Sequence, residues 1–324
     1  MIVVTGGAGM IGSIIAWHLN TKLKRDDLVI TDRITHEAQW QNLVHRQYVE
    51  YLDRDQLFDF LEENDEIEAV IHMGAISATT ERDFNKLVEA NIHYSQDLWS
   101  WCAENNVPFF YASSAATYGD GSAGYDDASI DKLRPLNGYG YSKHFFDQWA
   151  LKQTPENSPP AWAGFKFFNV YGPNEYHKER MASVAFHTFN QFSETGTMKL
   201  FNGTKTGIKD GEQLRDFVYV KDAAAIVCHF LEHANAKNNG IYNIGTGQAR
   251  SFKDLAINVM ESMGKAPHIT YIDMPEDLRG KYQYFTEANM TKLRKAGYKA
   301  PMTTLEDGVK DYVQNYLMKD DPYC

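Results

Sequence analysis

Three cysteines in 324 residues, Cys102, Cys228 and Cys324, are few, odd in number and far apart. A disulfide framework is excluded and no pair has metal-ligand spacing, so reduced thiols in a cytoplasmic protein, with no metal, are expected. No apolar run approaches the ~20 residues of a membrane span. A basic segment leading into an apolar one is missing at the N-terminus, where a leader would displace a strand that begins at Ile2. Basic residues are in deficit, 32 Lys and Arg against 43 Asp and Glu, for a formal charge of −11. That balance argues against a general nucleic-acid or anionic-membrane surface, and any anionic ligand must be met by local cations. The ten prolines mark no linker (Pro155–Pro160 reads as a loop), and there is no repeat or low-complexity tract. The length allows one large domain or two coupled ones.

What the chain does have is concentrated at its start. Behind the apolar run Ile2-Val3-Val4 stands Thr5-Gly6-Gly7-Ala8-Gly9-Met10-Ile11-Gly12. A buried strand, a glycine turn and an immediate helix let backbone amides approach a pyrophosphate, whose charge the helix N-terminus favours. Gly6, Gly9, Met10, Ile11 and Gly12 are therefore candidate cofactor contacts. The competing reading is a glycine turn that merely packs tightly.

Apolar runs and helical stretches alternate through the first half. Strands are expected at Ile2–Val4, Leu28–Thr31, Ala69–His72 and Pro108–Ala112, with Gln47–Tyr51 weaker and Phe165–Val170 and Gly240–Ile244 further on. Helices are expected at Met10–Lys24, Gln56–Glu63 and Phe84–Asn105. This rhythm predicts an α/β fold, a doubly wound parallel sheet of Rossmann type with ligands at the carboxyl ends of its strands. After Tyr171 the rhythm is lost, and helical segments lie near Ala182–Phe192, Val220–His233, Phe252–Met263 and Leu305–Leu317. The expected division is a dinucleotide-binding part, 1–170 with returns near 214–246, and a smaller interleaved substrate part, 171–213 and 247–324.

Asp32 ends the second strand, where a carboxylate accepts from an adenosine ribose and favours NAD. Arg33 follows and suits a ribose phosphate, which favours NADP; its alternative is a solvated loop charge. His72-Met73-Gly74-Ala75 closes the fourth strand, where backbone approaches the dinucleotide, so all four are candidate cofactor contacts; His72 has no companion ligands for a metal, which leaves packing or a strand-end hydrogen bond for its ring. Tyr139 and Lys143 are four apart, on one face of a helix. A phenol near pKa ~10 is a poor base at neutral pH, and an adjacent ammonium favours the phenolate; Lys143 can also hold the nicotinamide ribose, so Tyr139 and Lys143 count as cofactor contacts too. Tyr-x-x-x-Lys alone is a cheap pattern. Ser114, at the end of the fifth strand, makes it a specific triplet, with Ser114 donating to a developing alkoxide. Tyr141, whose partner four on is Phe145, is assigned to packing.

At these residues the chain resembles the extended short-chain dehydrogenases/reductases, in the nucleotide-sugar branch. Tyr111-Ala112-Ser113-Ser114-Ala115-Ala116-Thr117-Tyr118-Gly119, Phe167-Phe168-Asn169-Val170-Tyr171-Gly172-Pro173, Arg215-Asp216-Phe217-Val218-Tyr219-Val220 and Asn243-Ile244-Gly245-Thr246-Gly247 run in family order. His177-Lys178, Met181-Ala182-Ser183-Val184-Ala185-Phe186-His187, Thr79-Thr80-Glu81, Lys199-Leu200-Phe201 and Gly280-Lys281-Tyr282-Gln283-Tyr284-Phe285-Thr286 are similar to the ADP-L-glycero-D-manno-heptose 6-epimerases. Departures are Lys166 where arginine is frequent, Glu179-Arg180 where a small hydroxyl-bearing pair is usual, and a long loop at Thr204–Leu214.

The resemblance implies an isomerase of lipopolysaccharide precursor synthesis with a tightly held NADP. It also implies a homo-oligomer, pentameric in characterised members, and an ADP-heptose type nucleotide sugar as substrate. It implies Tyr139 and Lys178 as acid/base partners. Lys178 by itself would read as a surface lysine among Glu175, Glu179 and Arg180. Val170 and Asn91 would line the cofactor. Arg215 would grip the substrate diphosphate, since arginine holds two oxygens at once, ahead of Lys281, Arg279 and Lys209. Asn169, His187, Phe201 and Tyr282 would touch the sugar nucleotide. Ala115-Ala116 stands where a dehydratase would carry an acidic pair. The alternatives are another nucleotide-sugar epimerase or reductase, such as a UDP-sugar 4-epimerase, and a catalytically silent dinucleotide sensor.

Overall fold

The computed structural model describes residues 1–204, 207–276 and 282–324. Seven parallel strands form the main sheet in the order β10-β6-β5-β4-β1-β2-β3. They are β1 Ile2–Thr5, β2 Leu28–Asp32, β3 Glu50–Asp53, β4 Ala69–His72, β5 Phe109–Ser114, β6 Trp162–Phe167 and β10 Gly240–Ile244. The central strands are short, β-branched or aromatic, and buried on both faces, as a sheet sandwiched between helices requires. One face is covered by α1 (Met10–Thr21) and α7 (Val220–Glu232), whose Ile14, Ile15, Ala223 and Val227 share one apolar cluster. The other is covered by α4 (Tyr94–Glu104) and α5 (Gly138–Ala150), where Trp99 meets the rings of Phe109, Phe146, Trp149 and Trp162. The α/β doubly wound architecture is the expected one.

Several boundaries move for physical reasons. Helix α1 ends at Thr21 rather than Lys24, because Lys24 turns to φ 56°. The third strand is Glu50–Asp53, shifted along the chain from Gln47–Tyr51, at the exposed sheet edge where burial does not fix its ends. The single strand expected over Phe165–Val170 is two. β6 ends at Phe167, and β7 (Asn169–Tyr171) pairs instead with β9 (Leu214–Tyr219), itself flanked by β11 (Ala249–Ser251). A further pair joins β8 (Met198–Phe201) to β12 (Ile269–Ile272) beneath α6 (Val184–Thr195) and α8 (Phe252–Ser262). The long helix expected from Phe84 starts as α3 (Phe84–Leu87), widens into a π segment at Val88–His93 and continues as α4. Such widened turns mark functional positions in many proteins. No described helix is long and apolar enough to cross a membrane.

Candidate functional site

The glycine turn is built by close approach. Gly6 has φ +63°, and a Cβ on it would stand 2.5 Å from Gly74 N; one on Gly12 would stand 2.2 Å from Gly6 O. Side chains at either position would push β1, β4 and α1 apart. Helix α1 then opens with no side-chain cap at Gly9 and no acidic residue in its first turn. Its first amides face a cavity of about 670 Å³ lined by Gly6, Gly9, Met10, Ile11 and Gly12. A diphosphate fits this cradle on backbone amides and helix dipole alone.

Asp32, Met73, Gly74, Ala75 and Val170 line the same cavity. The Asp32 carboxylate accepts from Ala8 N–H at 2.9 Å and Arg33 N–H at 2.7 Å. The Arg33 guanidinium does not line the cavity and is tied to Asp55. His72 lies behind the wall, fully buried, with Nδ1 2.6 Å from Thr5 Oγ1 and Nε2 2.9 Å from Ser95 Oγ. Burial drives its pKa down to about 3, so the ring is neutral and serves the strand-end hydrogen bond. Asn91 is also internal. Its Oδ1 accepts Ile76 N–H at 2.9 Å, while Nδ2 donates to Ile76 O at 3.0 Å and Ser142 Oγ at 3.0 Å. It clamps the loop after β4 to the catalytic helix instead of touching the cavity.

Ser114, Tyr139 and Lys143 line the cavity together. Asn137 caps α5 by accepting Gly140 N–H at 2.8 Å. Gly140 is required because a Cβ there would stand 2.8 Å from Ala116 O, so the first turn of α5 seats directly on the turn after Ser114. Burial pushes the Tyr139 phenol up, and a hydrogen bond with Ser114 only partly offsets this. The spacing predicts acidification by Lys143; the direction found is upward, set by burial and Asp147, and burial also pulls Lys143 itself down to about 8, with Asp147 opposing. Tyr141 is half-exposed against Phe84, consistent with its assignment away from the chemistry.

Behind this helix lies a sealed polar cluster. Lys166 Nζ and Asp147 Oδ2 are 2.5 Å apart, and neither side chain is exposed. Ser113 and Tyr111 donate to the Asp147 carboxylate at 2.7 and 3.0 Å, and Lys166 reaches Thr117 Oγ1 at 2.7 Å. Lys166 and Asp147 carried no flag of burial in the sequence, since an amine and a carboxylate 19 residues apart show no local signal.

Lys178 is held in a 3₁₀ segment, Tyr176–Met181, and lines the cavity. It is half-buried, desolvation lowers its pKa, and its contact in hydrogen-bond range among the described residues is the weak acceptor Met10 Sδ at 3.9 Å. His177, 3.2 Å from Asn42 Nδ2, is pulled down to about 4 by burial and is neutral. Arg180 also lines the cavity.

Arg215 is buried at the cavity wall, its guanidinium carbon 4.9 Å from the Tyr282 ring centroid and 5.4 Å from that of Phe252. Its neighbour Asp216 points the other way and accepts from Thr246 N–H, Thr246 Oγ–H, Gly247 N–H and Ala288 N–H at 2.7–3.0 Å. Two sequence strings, around Arg215 and around Gly245, are thereby one structural unit that aims the guanidinium inward. Asn169 lines the cavity. Phe201 sits behind Tyr282, ring centroids 6.3 Å apart, and His187 rests near Arg180 O at 3.4 Å; neither lines the cavity. Arg279 and Lys281 lie outside the described residues, and Lys209 is not at this cavity. Sequence reasoning missed Gln39, Ser77, Phe168, Ser183 and Phe252 as lining residues. Only Ser183 and Phe168 lay within strings that could have drawn attention.

A dinucleotide cradle opening onto a Ser-Tyr-Lys group, with an arginine that has no ion-pair partner among the described residues, defines an enzyme that oxidises and reduces carbinols of phosphorylated substrates. The chain belongs to the NAD dependent epimerase/dehydratase family, whose pattern matches residues 2–245, and within it to the ADP-L-glycero-D-manno-heptose-6-epimerase group. A protein of that name from Fusobacterium nucleatum is 54% identical over 336 residues, and one from Nitratidesulfovibrio vulgaris 49% over 328, each match covering the whole of both chains. The crystal structure of the Helicobacter pylori ADP-L-glycero-D-manno-heptose-6-epimerase superposes with a TM-score of 0.80 at 27% identity, covering 97% of this chain and 95% of that one.

Proposed function

We propose that the chain interconverts ADP-D-glycero-D-manno-heptose and ADP-L-glycero-D-manno-heptose at carbon 6 of the heptose, a step toward lipopolysaccharide inner-core precursors. The observation that carries this reading is one cavity that collects two separate acid/base groups, Tyr139 beside Lys143 and Ser114, and the amine of Lys178. Inverting a secondary alcohol through a ketone requires a proton acceptor for one epimer and a donor for the other. A nicotinamide dinucleotide, when bound, supplies the hydride acceptor and donor for carbon 6. Tyr139 and Lys178 exchange the hydroxyl proton, each serving one epimer. Ser114 donates to the carbonyl oxygen as charge develops. Arg215 holds the substrate diphosphate, with Tyr282 and Asn169 about it. Ala115 and Ala116, which follow Ser114, offer no acid or base for eliminating water.

The finer cofactor identity we propose is NADP, which rests on the resemblance and needs Arg33 to leave Asp55. One observation favours NAD instead: Asp32, not Arg33, lines the cavity. The division of labour proposed is a cofactor part, 1–170 with returns near 214–246, and a substrate part made of the remainder. A homo-oligomer in the cytoplasm completes the reading, supported by the resemblance and by thiols that are all free. The test is to denature purified protein and identify the released dinucleotide, then incubate intact protein with ADP-D-glycero-D-manno-heptose and follow the epimers by NMR. Accumulation of the L-glycero epimer is expected. Turnover of UDP-galactose but not of the heptose would overturn the substrate assignment.

A further inference from the structure

Glu175 stands in a run of charges that looks solvated, Glu175-Tyr176-His177-Lys178-Glu179-Arg180, yet its side chain is fully buried. Its carboxylate spans the neck of the loop that carries Lys178. Oε2 accepts from Ser183 N–H at 2.5 Å and Oε1 from Ser183 Oγ–H at 2.7 Å, with Gly172 N–H at 3.5 Å. Ser183 is in turn the cap of α6, its Oγ accepting Phe186 N–H at 3.3 Å. The neighbouring Asn174 ties the same neck to the cofactor side: Nδ2 donates to Ser13 Oγ at 2.9 Å, and its carbonyl accepts from Asn42, which also bonds Ala8 O. Everything between Glu175 and Ser183 is therefore a closed loop hung on the glycine-turn helix. Within it, the Lys178 amine lies beyond ion-pair distance of Glu175, with no salt bridge between them.

We propose that Glu175 is a positioning residue for Lys178: locked onto Ser183 and Gly172, its carboxylate closes the loop that presents the amine to the cavity and stands near that amine without pairing with it. A direct ion pair would favour the ammonium, and desolvation with no anion nearby would favour the neutral amine. A carboxylate held off by three donors leaves the amine able to take and give a proton, as an acid/base partner must. Burial lowers the Lys178 pKa, and the Glu175 carboxylate opposes that shift. The other groups around the pair do not substitute for Glu175. His177 is neutral, Met10 of α1 is uncharged, and the Tyr312 phenol, pushed up by burial, faces Glu175 from the helix Leu305–Tyr312. Glu179, next in the chain, is turned to His36, 3.8 Å from its Nε2, and Tyr139, Lys143, Arg180 and Asp32 line the same cavity.

The inference rests on Lys178 being an acid/base group, and its test is separable from epimerase activity. Full-length protein carrying ¹³C at lysine Cε is titrated by NMR, the Lys178 signal being assigned by its loss in Lys178→Met. In Glu175→Gln the Lys178 midpoint is expected to fall by about one pH unit or more, and the matching limb of the epimerisation pH profile to move with it; Glu175→Asp should restore most of the shift. An unchanged Lys178 midpoint in folded Glu175→Gln overturns the proposal. Should Glu175→Gln not fold, the reciprocal measurement decides. With ¹³C at glutamate Cδ, the Glu175 midpoint must rise in Lys178→Met, and a constant midpoint refutes the coupling. Absence of heptose turnover in the wild type would instead refute the proposed reaction and leave both titrations readable.

Discussion

Replacing Lys166 by methionine leaves the Asp147 carboxylate inside a sealed cluster without its cation. The ion pair is 2.5 Å long with neither side chain exposed, so no solvent can take the place of the ammonium. Breaking a buried pair from one side costs ~3–5 kcal/mol, because the remaining charge is stranded. Here Ser113 and Tyr111 still donate to Asp147, so the lower end, ~3 kcal/mol, is expected. Thr117 would lose its amine partner as well. The loss should be read by urea denaturation, following tryptophan fluorescence from Trp149 of α5 and from Trp99, which packs against it. Combining Lys166→Met with Asp147→Asn removes both charges and should recover most of the loss, giving a coupling of ~2 kcal/mol or more in the double-mutant cycle. A loss below ~1 kcal/mol for Lys166→Met, or strict additivity in the cycle, would refute the claim that these two charges depend on one another.

Three further outcomes follow from the same geometry. Lys143 is pulled down to about 8 by burial while Asp147 raises it, so in Asp147→Asn the alkaline limb of activity should move to lower pH; a limb unmoved or moved upward contradicts this. For stability the sign is the reverse of an ion-paired lysine: the unfolded chain holds this proton up to about 10.5, so Lys143 costs stability below about 8 and that cost is relieved as pH rises between the two values. Arg215→Met should raise KM for the nucleotide sugar by about 10- to 100-fold, the worth of ~1.5–3 kcal/mol of charged hydrogen bonding, with little change in released dinucleotide; an unchanged KM removes Arg215 from the diphosphate. Glu179 adopts φ 47°, ψ −128°, so Glu179→Gly should gain ~1 kcal/mol in thermal melts while Glu179→Ala gains nothing; equal effects of the two would show no strain at that position.

The first half of the fold was legible because its signals are local. Ile2-Val3-Val4 before Gly6 announces a buried strand and its turn, and Tyr139 with Lys143 shares one helical face whatever surrounds them. The misread elements depend on distant partners. Nothing in Phe165–Val170 states that Asn169–Tyr171 will leave the main sheet for β9. Nor does Asn91 reveal that its amide will be spent on Ile76 and Ser142 instead of facing a ligand. Charges were the least legible. Glu175 and Lys178 share a run that reads as solvated, and burial inverts that reading only because Ser183 and Met10 arrive from elsewhere in the chain or further along the loop. For Tyr139 the spacing to Lys143 shows a cation but not the burial that pushes the phenol up.

The central claim, two acid/base groups serving one carbon, is tested most directly by preparing Tyr139→Phe and Lys178→Met separately and measuring conversion from each pure epimer with dinucleotide content held equal. The account predicts that each variant loses epimerisation by orders of magnitude in both directions while keeping its dinucleotide. Wild-type rates in Lys178→Met in both directions would contradict it and leave Tyr139 acting alone.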